Sequence, residues 1–245
     1  MDKDNEEKVE KKPKTEDERI KEEYEKSIPT FDEARKDWVV QKLRVGDRDA
    51  LIIDNWYTDK ELKKVFKEFD YYTNNGLDML IDSSNDPSTA RDKTIGSLAK
   101  TYRFYVEPNP YSVMYKYNYK YSYEEFIRMV ENETLFGGYF CNTKRNSLMV
   151  NYYETGEYYK SHRDNSVITQ LTWVNREPKM YEGGDLILTD MGEKVECKNN
   201  RTIFFPGHYK HEITEVNMKK EWDEMKNTLD DDVYYGRFSI ANFFY

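Results

Sequence analysis

Two cysteines, three histidines and no long apolar run are what 245 residues provide, and each shortage excludes something. Cys141 and Cys197 lie outside any C-x-x-C, which argues against a disulfide framework and a thiolate zinc site. No stretch approaches membrane-spanning length, and the opening MDKDNEEKVEKK has no apolar core of the kind a secretory signal needs. The expectation is a soluble, cytoplasmic chain with reduced thiols and no membrane segment. An excess of positive charge is also missing: the net charge is −9, and no Lys/Arg block stands alone. Tight, non-specific binding of nucleic acid is therefore disfavoured.

What is present is charge and aromatic surface. Charged residues make up 35% of the chain and aromatics 16%, with 22 Tyr and 12 Phe. Each ring can bury a large area, so an ordinary-sized core is available despite only 38% hydrophobic residues. The charge is concentrated at one end, where Met1–Thr30 holds 11 acidic and 8 basic residues. Residues 1–37 are expected to form a charged extension, partly disordered or helical. Residues 38–245 are expected to form a single domain: helical and β support over 38–140, and a β core over about 141–245.

Leu51–Asp54 (LIID) reads as a short strand. The helix after it takes Thr58 or Asp59 as N-cap and carries Leu62, Val65, Phe66 and Phe69 on one face. Asn74–Thr94 is rich in turn residues, and Tyr121–Asn132 is a second helix candidate. Short β-type runs then dominate, at 147–153, 167–175, 184–190, 193–198, 201–206, 211–216 and 236–244, mostly separated by turn chemistry such as ETGE, EGG and DMGE. This pattern predicts a mainly β, α+β fold in which two antiparallel sheets pack in the jelly-roll manner. A charged, helix-prone excursion over 217–234 interrupts the last two runs and is read as a surface feature near the mouth of the site.

The chemistry gathers around the few histidines. In YYKSHRDNS, a strand would turn His162 and Asp164 to one face and Arg163 to the other. An imidazole beside a carboxylate is two thirds of the two-histidine, one-carboxylate set that holds Fe(II) and leaves positions open. FFPGHYKHEITEV offers the third ligand as His208 or His211. In GRFSIANFF, alternation aligns Arg237, Ser239, Ala241 and Phe243, and a guanidinium followed by a hydroxyl suits a carboxylate.

Taken in order, Y-E-T-G-E-Y-Y-K-S-H-R-D, W-V-N, G-G-D-L, F-F-P-G-x-x-K-H-E-I and G-R-F-S-I resemble the Fe(II)/2-oxoglutarate-dependent dioxygenases, in their prolyl 4-hydroxylase-like branch. L-I-I-D-N-W-Y-T-D-K-E-L looks like that family's strand–helix entry, so the resemblance spans about Leu51–Tyr245. It implies a double-stranded β-helix with Fe(II) on His162, Asp164 and His211, leaving His208 as an exposed loop residue. It further implies 2-oxoglutarate held by Arg237 with Ser239 and Tyr153, and L-ascorbate as a reductant of the iron. The implied reaction is hydroxylation of a C–H bond, foremost of a peptidyl proline, with release of succinate and CO2. Trp173 stands where relatives often carry Tyr and is read as core. The tyrosines of 102–123 could line a groove for a peptide or protein substrate, or could simply pack. A nucleic-acid demethylase fits less well, because that branch carries a second arginine where this chain has Phe243. A small-molecule hydroxylase and a non-catalytic metal-binding β-barrel are the alternatives. Oligomeric state is left open.

Overall fold

The computed structural model describes residues 28–74, 80–106, 112–226 and 234–245, together with isolated positions between 15 and 26. Most of the charged extension and residues 227–233 of the excursion therefore lie outside the described residues. Among the described residues the strands run in chain order as β1 (Val39–Val45), β2 (Arg48–Asp54), β3 (Ile81–Asp82), β4 (Arg91–Asp92), β5 (Gly96–Ser97), β6 (Ala99–Lys100), β7 (Tyr102–Val106), β8 (Asn146–Tyr153), β9 (Glu157–His162), β10 (Ile168–Val174), β11 (Tyr181–Gly183), β12 (Leu186–Leu188), β13 (Glu193–Val195), β14 (Arg201–Pro206), β15 (His211–Met218) and β16 (Arg237–Phe244). Helices α1 (Phe31–Arg35), α2 (Asp59–Asn74), α3 (Val113–Lys116), α4 (Glu124–Glu133), α5 (Gly137–Phe140) and α6 (Lys220–Lys226) accompany them.

Eight strands form the major sheet in the order β1-β2-β14-β10-β16-β8-β7-β3, so β1, β2 and β7 extend a centre built from the last hundred residues. The minor sheet runs β13-β12-β15-β9-β6, with β11 also on β15. Every pairing is antiparallel among the described residues. Two stacked sheets threaded in this way make a double-stranded β-helix.

Alternation sorts the side chains. Along β8 and β16, Leu148, Val150, Tyr152, Phe238, Ile240 and Phe244 face the helices, while Met149, Tyr153 and Ala241 face the other sheet. Helix α2 closes the outer core with Val65 and Phe69, and Phe69 stacks on Phe238 at 4.4 Å. Its start is a reciprocal cap: Thr58 Oγ1 accepts from Glu61 N, and the Glu61 carboxylate accepts from Thr58 N.

The aromatic segment behaves as packing. Tyr121 meets Phe244 edge-on at 5.0 Å, Tyr119 donates to Glu61 and Tyr123 meets Phe31. The groove reading of 102–123 therefore fails for these residues, since burying rings against the helices saves more apolar surface than exposing them. Tyr105 is the exception and reaches the cavity described below. The described part of the excursion lies mostly at the surface, as expected, but does not line that cavity. It folds Trp222 inward against Tyr235, at 5.0 Å.

Candidate active site

Between the two sheets lies a cavity of about 520 Å³. The ends of β9 and β15 meet at its mouth, where the register pairs His162 directly with His211. Asp164 is not on the strand, which ends at His162. The carboxylate is instead delivered by the following loop, whose Asp164 N donates to Gly207 O at 2.9 Å. Gly207 is glycine for a steric reason: a Cβ there would sit 2.3 Å from Ser166 O. The F-F-P-G turn and the H-R-D loop are thus pressed backbone to backbone, and Arg163 points away to His208 O and Asp190.

One ligand-type atom from each of His162, Asp164 and His211 lies within 4.8 Å of the others. The carboxylate bridges the rings, with Oδ1 3.6 Å from His162 Nε2 and Oδ2 3.5 Å from His211 Nε2. Nδ1 of His162 faces Lys160 O at 2.8 Å and Nδ1 of His211 faces Tyr209 O at 2.9 Å. Each Nδ1–H donates to its carbonyl, which leaves both Nε2 lone pairs directed at one point. Burial, then the neighbouring His211 ring, pushes the His162 imidazole down to about 3, so it stays neutral. Tyr159 stacks on His162 at 3.6 Å and Phe205 meets His211 edge-on at 4.9 Å, fixing both ring planes. Asp164 is aimed by Thr169, whose hydroxyl donates to Oδ2 at 2.6 Å and accepts from Ser166. His208 is exposed and outside this cluster.

Arg237 lies deeper and is fully buried. Its Nε donates to Gly184 O at 2.8 Å and its guanidinium covers the Tyr153 ring at 4.6 Å. Nη1 and Nη2 have no hydrogen-bond partner among the described residues. A buried cation with two idle donor groups is costly unless an anion completes it. Gly184 makes the space, because a Cβ on it would lie 2.4 Å from Arg237 Cδ. Ser239, two residues on, lines the cavity along with Tyr153. Trp173 pairs with Ser239 in the sheet and is buried, as read from the sequence.

Two imidazoles and a carboxylate on one side of a point are the donor set Fe(II) takes with open positions, and the idle Arg237 fork is what a dicarboxylate needs at its far end. The residues present therefore fit both groups. Sequence reasoning missed Thr169, Ser166 and Tyr159 around the histidines, and Arg103, a second buried guanidinium in the cavity wall.

Residues 148–245 match the family model described as the 2OG-Fe(II) oxygenase superfamily. The chain is similar to a prolyl hydroxylase from Trichoplax adhaerens, solved in complex with a hypoxia inducible factor oxygen degradation domain peptide fragment. The identity is 15%, over 80% of this chain and 83% of that one, with a TM-score of 0.52. It is also similar to a Pseudomonas putida prolyl-4-hydroxylase, at 13% identity over 88% and 98% of the two chains and a TM-score of 0.49. A third likeness is to IDO from Bacillus thuringiensis, at 12% identity over 80% and 90% and a TM-score of 0.41. No curated protein matches the chain. The resemblance drawn from the motifs agrees with this family-model match over residues 148–245, and a family so described implies Fe(II) and 2-oxoglutarate. No helix among the described residues is long and apolar enough to cross a membrane.

Proposed function

We propose that this protein is a dioxygenase that hydroxylates a C–H bond of a peptidyl proline. The observation that carries the reading is a His–Asp–His cluster on a cavity also lined by Tyr153 and Ser239, with the buried Arg237 guanidinium against the Tyr153 ring and its two Nη groups idle among the described residues. His162, Asp164 and His211 hold Fe(II). Arg237 takes the far carboxylate of 2-oxoglutarate as a fork, with the Ser239 hydroxyl beside it and the Tyr153 ring as the floor. When bound, the iron and 2-oxoglutarate supply the oxidising power of O2, with succinate and CO2 as co-products.

The chain's own residues set the geometry. The Nδ1 hydrogen bonds to Lys160 and Tyr209 fix which nitrogen faces the metal. The Ser166–Thr169–Asp164 chain holds the carboxylate. Proline as the residue oxidised rests on the motif order, which lies nearest the prolyl hydroxylases, and the Trichoplax relative with its peptide fragment supports a peptide in the cleft. L-Ascorbate is the proposed reductant that restores iron after turnover without substrate.

Succinate release from 2-oxoglutarate with Fe(II) tests the enzyme reading. Asp164→Ala should abolish it and His208→Ala should leave it intact. Mass spectrometry of a peptide library should find one added oxygen on proline. If only a free metabolite is oxidised, the substrate is a small molecule, and metal binding without any succinate would leave a non-catalytic barrel.

A further inference from the structure

Arg103 lies on β7 in the cavity wall, and only 1% of it is exposed. Among the described residues its single ionic contact joins Nη1 to Asp86 Oδ2 at 3.3 Å. Nε and Nη2 are buried and have no hydrogen-bond partner among the described residues. Leaving such donors unpaired costs a buried guanidinium the water it gave up, so a side chain held in this way is set up for an acceptor that arrives with a ligand. The acceptor is not 2-oxoglutarate's far carboxylate, which has Arg237. Arg103 instead approaches the iron side: its guanidinium lies 5.9 Å from the ring of Tyr159, the tyrosine that stacks on His162.

Resting on the oxygenase reading above, we propose that Arg103 recognises a neutral carbonyl oxygen of the primary substrate, that of a peptide group flanking the oxidised residue. The charge balance selects the chemistry. Asp86 already compensates Arg103 and is itself held, Oδ2 by the Tyr105 hydroxyl at 2.7 Å and Oδ1 by Ser88 N at 2.8 Å. Around the metal, Asp164, a doubly charged cation, the 2-oxoglutarate dianion and Arg237 sum to zero. A substrate carboxylate at Arg103 would bring an uncompensated negative charge against a buried side chain, whereas a carbonyl satisfies the idle N–H groups without one. The two buried arginines thereby divide the labour: the unpaired one takes an anion, the paired one a dipole.

The test uses the full chain loaded anaerobically with Fe(II) and 2-oxoglutarate, read by the visible charge-transfer band of that complex. The probes are N-acetylated, C-amidated tripeptides with proline or another residue at the centre, and the corresponding free amino acids. Wild type should bind a capped tripeptide more tightly than the free amino acid. Arg103→Met and Arg103→Gln should weaken tripeptide binding about 10- to 100-fold, with the band forming at unchanged 2-oxoglutarate concentration, which also shows the variants to be folded. Asp86→Asn, which leaves Arg103 uncompensated, should shift preference towards probes with a free carboxylate. The proposal is overturned if both Arg103 variants bind tripeptides as wild type does, if wild type prefers free amino acids, or if it binds no capped tripeptide. Binding of proline-free tripeptides alone would remove the prolyl reading and keep the Arg103 site. Failure of wild type to form the band at all would sink the oxygenase reading, and this proposal with it.

Discussion

Replacing Gly184 by alanine probes the link between the G-G-D-L motif and the arginine it faces. The added Cβ would stand 2.4 Å from Arg237 Cδ and 2.8 Å from Nε, inside any tolerable contact. Arg237 has nowhere to retreat, since it is fully buried with Tyr153 against its guanidinium. The side chain must therefore tilt and stretch its bond to Gly184 O, a charge-assisted hydrogen bond worth about 1.5–3 kcal/mol. Gly184 also has φ +71°, so alanine adds backbone strain of about 1–2 kcal/mol. The strain falls on stability and the tilt on the carboxylate fork. Since each 1.4 kcal/mol is a factor of ten, 2-oxoglutarate affinity should fall about 10- to 100-fold.

Gly192→Ala separates the two contributions. Gly192 has φ +69°, and a methyl added there would meet nothing within 4 Å, so it carries the same strain and no clash. Calorimetric titration of 2-oxoglutarate into Mn(II)-loaded protein, with thermal unfolding alongside, reads both quantities. Both variants should lose stability, and only Gly184→Ala should lose 2-oxoglutarate binding, with metal affinity unchanged in each. Equal 2-oxoglutarate affinity in the two variants, or metal and co-substrate binding falling together in Gly184→Ala, would refute the assignment of Arg237.

Thr169→Val keeps the side chain's shape and removes the donor 2.6 Å from Asp164 Oδ2. Divalent-metal affinity should drop about tenfold or more, as for other groups that orient ligands, and a Co(II) titration with unchanged affinity would show that Asp164 needs no such support. Glu157 concerns stability alone: burial is the main cause that pushes its carboxyl up to about 7, from an ordinary 4.5. Below pH 4.5 it is neutral in both states, and as pH rises through 7 the unfolded chain ionises first, so the native state loses stability. Glu157→Gln should raise Tm at about pH 8 and leave it unchanged at about pH 4, and an equal change at both would contradict the buried, neutral carboxyl.

Period-two alternation made the β core legible, because strands buried on one face against helices and on the other against a second sheet still sort large rings from small or polar residues. In GRFSIANFF it separated Arg237, Ser239, Ala241 and Phe243 from Phe238, Ile240 and Phe244 correctly, since the sheet is regular there. It misplaced the reason for Asp164. The strand stops at His162, and the carboxylate reaches the cluster through a loop tied to Gly207, a long-range backbone contact that no local pattern encodes. The tyrosines of 102–123 left two readings open, because an aromatic run reads the same whether it lines a groove or packs under helices.

Arg103 was invisible for a deeper reason. In YRFYV it alternates as an exposed strand residue would, and only the pairing of β7 with β8 turns that face inward. Once inward, Arg103 and Arg237 are both buried guanidiniums, one lining the cavity and one behind its Tyr153 wall, and sequence offers nothing to tell them apart. Their difference lies in what stands opposite each guanidinium. Asp86, on a loop 17 residues before Arg103, compensates one, and Gly184, with only a carbonyl to offer, leaves the other charged and open. A buried arginine's chemistry is set by its counter-charge, and the counter-charge is a property of the fold.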